Sequence, residues 1–165
     1  MNSRGEIFFW VGARFVLGAL FLWAFFDKVF GWGFATPAAQ AWLRGGSPTS
    51  GFLKFGVTGP LAPFFHMLAG RGWVDILFMA GLFLIGSALI CGVGLKIAGW
   101  SGAMLSVLMW SALLPPKNNP LIDEHIVYVL IFIGLALSGY EFGVYWGLGK
   151  WWSQTALVKK YPLLR

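Results

Sequence analysis

Four stretches of the chain stay apolar long enough to cross a lipid bilayer, for which a helix needs about 20 mainly apolar residues. The first, 7–26, carries one charge, Arg14, and closes on Asp27-Lys28. The second, 76–95, and the third, 97–114, are uncharged; the third closes on Pro115-Pro116. Only Lys96 separates these two, which predicts a tight hairpin. The fourth, 120–140, follows Asn118-Asn119-Pro120 and carries Asp123, Glu124 and His125 in its first turn. Pro120 suits a first helical turn, where its missing N–H costs nothing. No small-residue cleavage site of the A-x-A type promptly follows the first stretch, so it reads as an anchor and not as a cleaved signal.

Residues 27–74 form the longest segment outside the spans. They hold turn signals at Gly45-Gly46-Ser47-Pro48 and Gly59-Pro60, and two apolar stretches, 35–43 and 61–69, too short to span. These predict interfacial or re-entrant helices. The segment 141–165, with Trp151-Trp152 and Lys159-Lys160, is expected to lie along the headgroup layer. The expected fold is therefore all-α and integral to the membrane. It is one domain, 1–165, built as a four-transmembrane-helix bundle with a long loop carrying short interfacial or re-entrant helices.

Composition agrees. Hydrophobic residues are 58% of the chain and charged residues 11%, against about 25% charged in soluble domains. The net charge of +6 does not imply nucleic acid, because the basic residues are scattered between apolar spans. The single cysteine, Cys91, excludes an internal disulfide, a CxxC pair and an iron–sulfur ligand set; it reads as packing. His66 and His125 are too few for most protein-ligated metal sites, and their spacing does not call for haem; no metal is expected. His66 reads as structural.

Four spans place both termini and the hairpin on one side. Arg4, Lys96, Lys150, Lys159, Lys160 and Arg165 fall there, against Lys28, Arg44, Lys54, Arg71 and Lys117 opposite. The slight excess and the basic tail predict cytoplasmic termini in the cell membrane. Trp10, Trp100, Trp146, Trp151 and Trp152 would form one interfacial belt, and Trp32, Trp42, Trp73 and Trp110 the other. The same topology gathers Asp27, Lys28, Asp75, Asn118, Asn119, Asp123, Glu124 and His125 at one mouth beside the long loop.

Arg14 lies about 10 Å into its span at 1.5 Å per residue. It either snorkels to the near interface or acts within the bundle. Arg14, Gly18, Phe21, Phe25 and Lys28 share roughly one helical face, and Gly18 would admit a close neighbour. Asp27-Lys28 reads either as a charged helix end or as a site in which Lys28 attracts an anion or quinone carbonyl while Asp27 orients it or relays a proton. Asp123 and Glu124 are ordinary partners of a helix N-terminus. Yet successive residues lie about 100° apart, so at least one of the Asp123-Glu124-His125 group should face the bundle. A histidine beside a carboxylate is a competent proton carrier, which makes His125 the leading candidate.

The chain also resembles the DoxX superfamily of small membrane proteins, and within it the DoxD-type subunit of thiosulfate:quinone oxidoreductase. The resemblance spans nearly the full length. It rests on Arg14…Gly18…Asp27-Lys28, on Trp42-Leu43…Gly45, on the run from Asn119-Pro120 through Asp123-Glu124-His125 to Tyr128, and on Gly147-Leu148-Gly149-Lys150-Trp151-Trp152. It implies a four-helix bundle in respiratory sulfur oxidation, passing electrons from thiosulfate to membrane quinone, usually with a second subunit. It carries over Arg14, Lys28, Asp123 and His125 as site candidates. The absence of a redox-cofactor ligand set in the sequence means that donor and quinone must bind close together, or that a partner takes part.

The expected function is thus a membrane subunit of a sulfur-oxidising oxidoreductase. His125, Asp123 and Glu124 would handle quinone protons. Arg14, Lys28, Asp27, Asn119, Arg44 and Arg71 would bind a small sulfur oxyanion and the quinone head. Expected partners are lipid, quinone, the oxyanion, and a second subunit or another copy of the chain. The alternative is a non-catalytic anchor or assembly subunit; 23 glycines and many aromatics suit helix–helix contacts. A transporter or channel fits less well, because four spans with one charged mouth make no through-going polar path.

Overall fold

The structure, a computed structural model, describes residues 4–116 and 119–164, with only the backbone at 138–140 and 142. Lys117, Asn118 and Arg165 lie outside the described residues. The described residues form helices and connecting turns, with no strand among them. Seven α-helices follow in order: α1 Arg4–Phe30, α2 Ala62–Leu68, α3 Gly72–Cys91, α4 Leu95–Ala112, α5 Glu124–Gly143, α6 Gly149–Gln154 and α7 Ala156–Lys160.

The four long helices pack in the cyclic order α1, α3, α4, α5. Neighbours run antiparallel, and glycine decides where they approach. A Cβ on Gly18 would lie 2.9 Å from Ile90 Cδ1, and one on Gly86 2.8 Å from Leu22 Cγ, so α1 and α3 touch almost backbone to backbone. Gly99 and Gly102 do the same for α4 against Phe132 and Ala136 of α5. The close approach expected at Gly18 is therefore present, and α4 repeats it. Leu17, Phe21, Met79, Leu82, Ile85, Leu89, Phe132 and Leu135 fill the centre. Phe21 meets Phe132 edge-on at 5.2 Å, joining α1 to α5. Trp10 and Trp42 are partly buried and pack against this core.

Two helices, α1 and α3, are long and apolar enough to cross a membrane by length and composition. Several boundaries differ from those expected. α1 continues past 26 because the helix ladder does not stop at a charged pair; it ends where Gly31 turns left-handed, with φ 68°. α3 stops at Cys91 rather than 95, since Gly92 and Gly94 adopt φ 70° and 60°. The hairpin is therefore residues 92–94, and Lys96 lies inside α4. The fourth long helix starts at Glu124, and Pro120 sits in the turn before it.

The long loop is structured. Of the two short helices expected there, α2 is present, whereas 35–43 forms only two single turns, Ala38–Gln40 and Trp42–Arg44. A second small core of Leu53, Val57, Phe65 and Ala112 fastens the loop to the end of α4. In the tail, Val158 is fully buried and Trp152 Nε1 donates to the Leu164 carbonyl at 2.7 Å.

Candidate functional site

The antiparallel packing puts the end of α1, the start of α3, the end of α4 and the start of α5 at one end of the bundle. Asp123 precedes α5 as its cap: Oδ1 accepts the His125 amide at 3.0 Å. Its second oxygen, Oδ2, lies 2.9 Å from His125 Nδ1. One carboxylate thus satisfies a helix N-terminus and fixes an imidazole. A carboxylate accepts, so Nδ1 carries the proton and Nε2 remains the position for proton exchange. The His125 and Asp123 side chains are 15% and 9% exposed, sheltered but reachable. The Tyr128 ring stands edge-on to the imidazole at 6.0 Å. Glu124 is exposed, and one donor atom from each of Asp123, Glu124 and His125 falls within 4.8 Å of the others. Such a group can share protons or hold a cation.

The approach to this pair is built by Asn119. Its Oδ1 accepts the Leu121 and Ile122 amides at 2.9 and 3.0 Å, and Trp110 Nε1 of α4 donates to the Leu121 carbonyl at 2.8 Å. The carboxamide oxygen of Asn119, a residue expected to bind substrate, shapes the turn that delivers Asp123.

Asp27 and Asp75 hold the long loop, Asp27 through backbone amides and Asp75 through one amide and two hydroxyls. Asp27 is 1% exposed, and its carboxylate accepts the amides of Phe34 and Ala35 at 3.2 and 3.0 Å. Asp75 is buried; its Oδ1 accepts Ser47 Oγ at 2.9 Å, the Thr49 amide at 3.1 Å and Thr49 Oγ1 at 2.6 Å. Sequence reasoning placed Asp75 at this mouth without giving it a role. Its signal was present: one carboxylate opening an apolar span, opposite a Ser-Pro-Thr-Ser loop. Lys28 is half-buried in the last turn of α1, beside Asp27. Arg44 and Arg71 are exposed on the loop side, and Arg71 Nε reaches the Met67 carbonyl at 3.5 Å.

Arg14 does not join this group. It lies fully buried at the opposite end of the bundle. Its Nη2 donates to the carbonyls of Tyr145 and Trp146, both at 3.1 Å, and the guanidinium lies 4.8 Å from the Phe15 ring centre. Among the described residues, Nε and Nη1 have no hydrogen-bond partner. Gly92 leaves room for Nη1, which a Cβ there would strike, and a Cβ on Gly147 would lie 2.9 Å from it. Arg14 therefore does not snorkel. It ties α1 to the turn after α5, while Leu148 N donates to the Cys91 carbonyl at 2.7 Å and holds the same turn to α3.

No protein family, curated protein or solved structure matches the chain.

Proposed function

We propose that the chain is a four-span protein of the cell membrane with cytoplasmic termini, and that its loop end serves a sulfur-oxyanion:quinone oxidoreductase of the DoxX kind. What supports the membrane reading is the outward surface. Only 28% and 33% of the apolar windows of α1 and α3 are buried, whereas the core helix of a soluble protein would be mostly buried. Val16, Leu77, Met104 and Leu130, one from each long helix, are all about two-thirds exposed. Contiguous apolar surface of that kind needs lipid or protein against it.

The observation that carries the chemical reading is the His125–Asp123 pair at 2.9 Å, sheltered at a helix start. In the reaction, two thiosulfate ions each lose one electron and join through a new S–S bond. Quinone takes those two electrons and two protons to become quinol. His125 supplies protons through Nε2 while Asp123 stabilises the imidazolium. Lys28, with Arg44 and Arg71 on the loop side, attracts the oxyanion. The test is quinone reduction by the purified chain in lipid with thiosulfate as donor, repeated with His125→Ala.

The second reading, a non-catalytic anchor, is favoured by one fact. The Asp27 and Asp75 carboxylates and the Asn119 carboxamide oxygen all accept hydrogen bonds from connecting segments of the chain, which leaves a well-built platform with few polar groups to spare. Thiosulfate-independent pull-down of a second subunit, with no quinone reduction by the chain, would select it.

A further inference from the structure

A groove of about 450 Å³ runs along the N-terminal half of α1, at the end of the bundle opposite His125. Ile7, Phe8, Val11 and Phe15 form its floor, and Tyr145 and Trp146 form its wall. Arg4 stands at one end, the one charged lining residue among those described. Gly12 leaves a notch in the floor: a Cβ there would meet nothing within 4 Å.

The wall is built rather than incidental. Trp146 is held at φ 54°, a left-handed conformation rare outside glycine. The buried Arg14 fixes it there through the Tyr145 and Trp146 carbonyls. The same guanidinium lies 4.8 Å from the ring centre of Phe15, which lines the groove. With Nε and Nη1 unpartnered among the described residues, Arg14 adds positive potential to a low-dielectric wall. Glu6, two residues beyond Arg4, projects from the other side of the helix by its position in the turn.

We infer that this groove binds one anionic phospholipid, its acyl chain along the α1 floor and its phosphate on Arg4. An apolar trough with Arg4 at its end at the headgroup level, Tyr and Trp in its wall and a second cation deeper behind that wall matches that ligand. A zwitterionic lipid would place its ammonium in the same positive field.

The inference rests on the membrane reading, and the two fail separately. A chain recovered in the water-soluble fraction refutes the spans. The groove is tested by native mass spectrometry of the full chain, exchanged in mild detergent against phosphatidylglycerol or phosphatidylcholine. The expected result is one phosphatidylglycerol per chain, preferred about fivefold over phosphatidylcholine, as one interfacial arginine would give. Gly12→Leu fills the notch and should abolish the bound lipid, while Leu84→Phe on the outer face of α3 should not. Arg4→Gln should keep a lipid but erase the preference. Equal retention of both lipids by the wild-type chain, or undiminished retention by Gly12→Leu, overturns the assignment. So does a bound quinone in place of phospholipid. If Gly12→Leu does not fold, Gly12→Val, a smaller plug at the same open position, decides by the same readout.

Discussion

Replacing Asp75 with alanine should release the long loop while leaving the bundle folded. One carboxylate oxygen, Oδ1, holds Ser47 Oγ, the Thr49 amide and Thr49 Oγ1 at 2.6–3.1 Å. A hydrogen bond to a charged group contributes about 1.5–3 kcal/mol, and three that share one acceptor contribute less than three independent ones. A combined loss of about 3–4 kcal/mol is therefore expected, or a ~10²–10³-fold rise in local opening. The effect should stay local, because α3 itself is held by Met79, Leu82, Ile85 and Leu89 in the main core. Hydrogen–deuterium exchange of the chain in lipid nanodiscs reads it directly. The Thr49 amide should exchange faster by that factor, with peptides from α5 around Phe132 unchanged as the internal reference. Asp75→Asn keeps an acceptor oxygen and loses only the charge, so it should cost about 1 kcal/mol, roughly fivefold in exchange. An unchanged Thr49 amide in Asp75→Ala would refute the reasoning. An asparagine variant as open as the alanine one would show that charge, and not acceptor geometry, holds the loop.

His125→Ala should lower quinone turnover by ~10²-fold or more, as expected for a positioned acid–base group, and His125→Gln should flatten the pH profile while the chain still folds. Normal turnover with an unchanged profile would remove His125 from the chemistry. Lys28→Ala should weaken the apparent affinity for thiosulfate, and added salt should partly mimic the loss in the parent chain, because salt screens the attraction of a half-buried charge only in part; unchanged affinity removes Lys28. Gly102→Ala drives a Cβ into the Phe132 ring and should cost about 1–3 kcal/mol, whereas Gly12→Ala, pointing into open space, should melt at or above the parent temperature. Equal melting of the two would mean that α4 and α5 do not approach so closely. Reporter fusions at Lys160 and within 45–51 should report opposite sides of the membrane, the tail cytoplasmic; the same side for both refutes four spans.

What the sequence determined by itself was the set of long helices and the end of the bundle where most polar residues gather. Both are local properties: an apolar run of sufficient length must be helical if it is to bury its own backbone polar groups, and the charges between runs fall near the helix ends without fixing them. That a carboxylate lies close to His125 was also legible, but its pairing with Asp123 follows from Asp123 capping α5. Helix boundaries were less so. The stop at Cys91 depends on Gly92 and Gly94 both turning left-handed, which glycine permits but does not require.

The partners of the buried polar groups were decided only by tertiary structure. Arg14 was visible as a charge within a span, but its acceptors are main-chain carbonyls 131 and 132 residues further on. Asp27 and Asp75 were visible as carboxylates at helix ends, but three of the five hydrogen bonds they accept come from backbone amides of the loop. Every residue but proline offers the same amide and carbonyl, so such partners leave no mark in the sequence. They are chosen when glycines such as Gly18, Gly92 and Gly99 let helices and turns come close enough for one side chain to reach another segment's backbone.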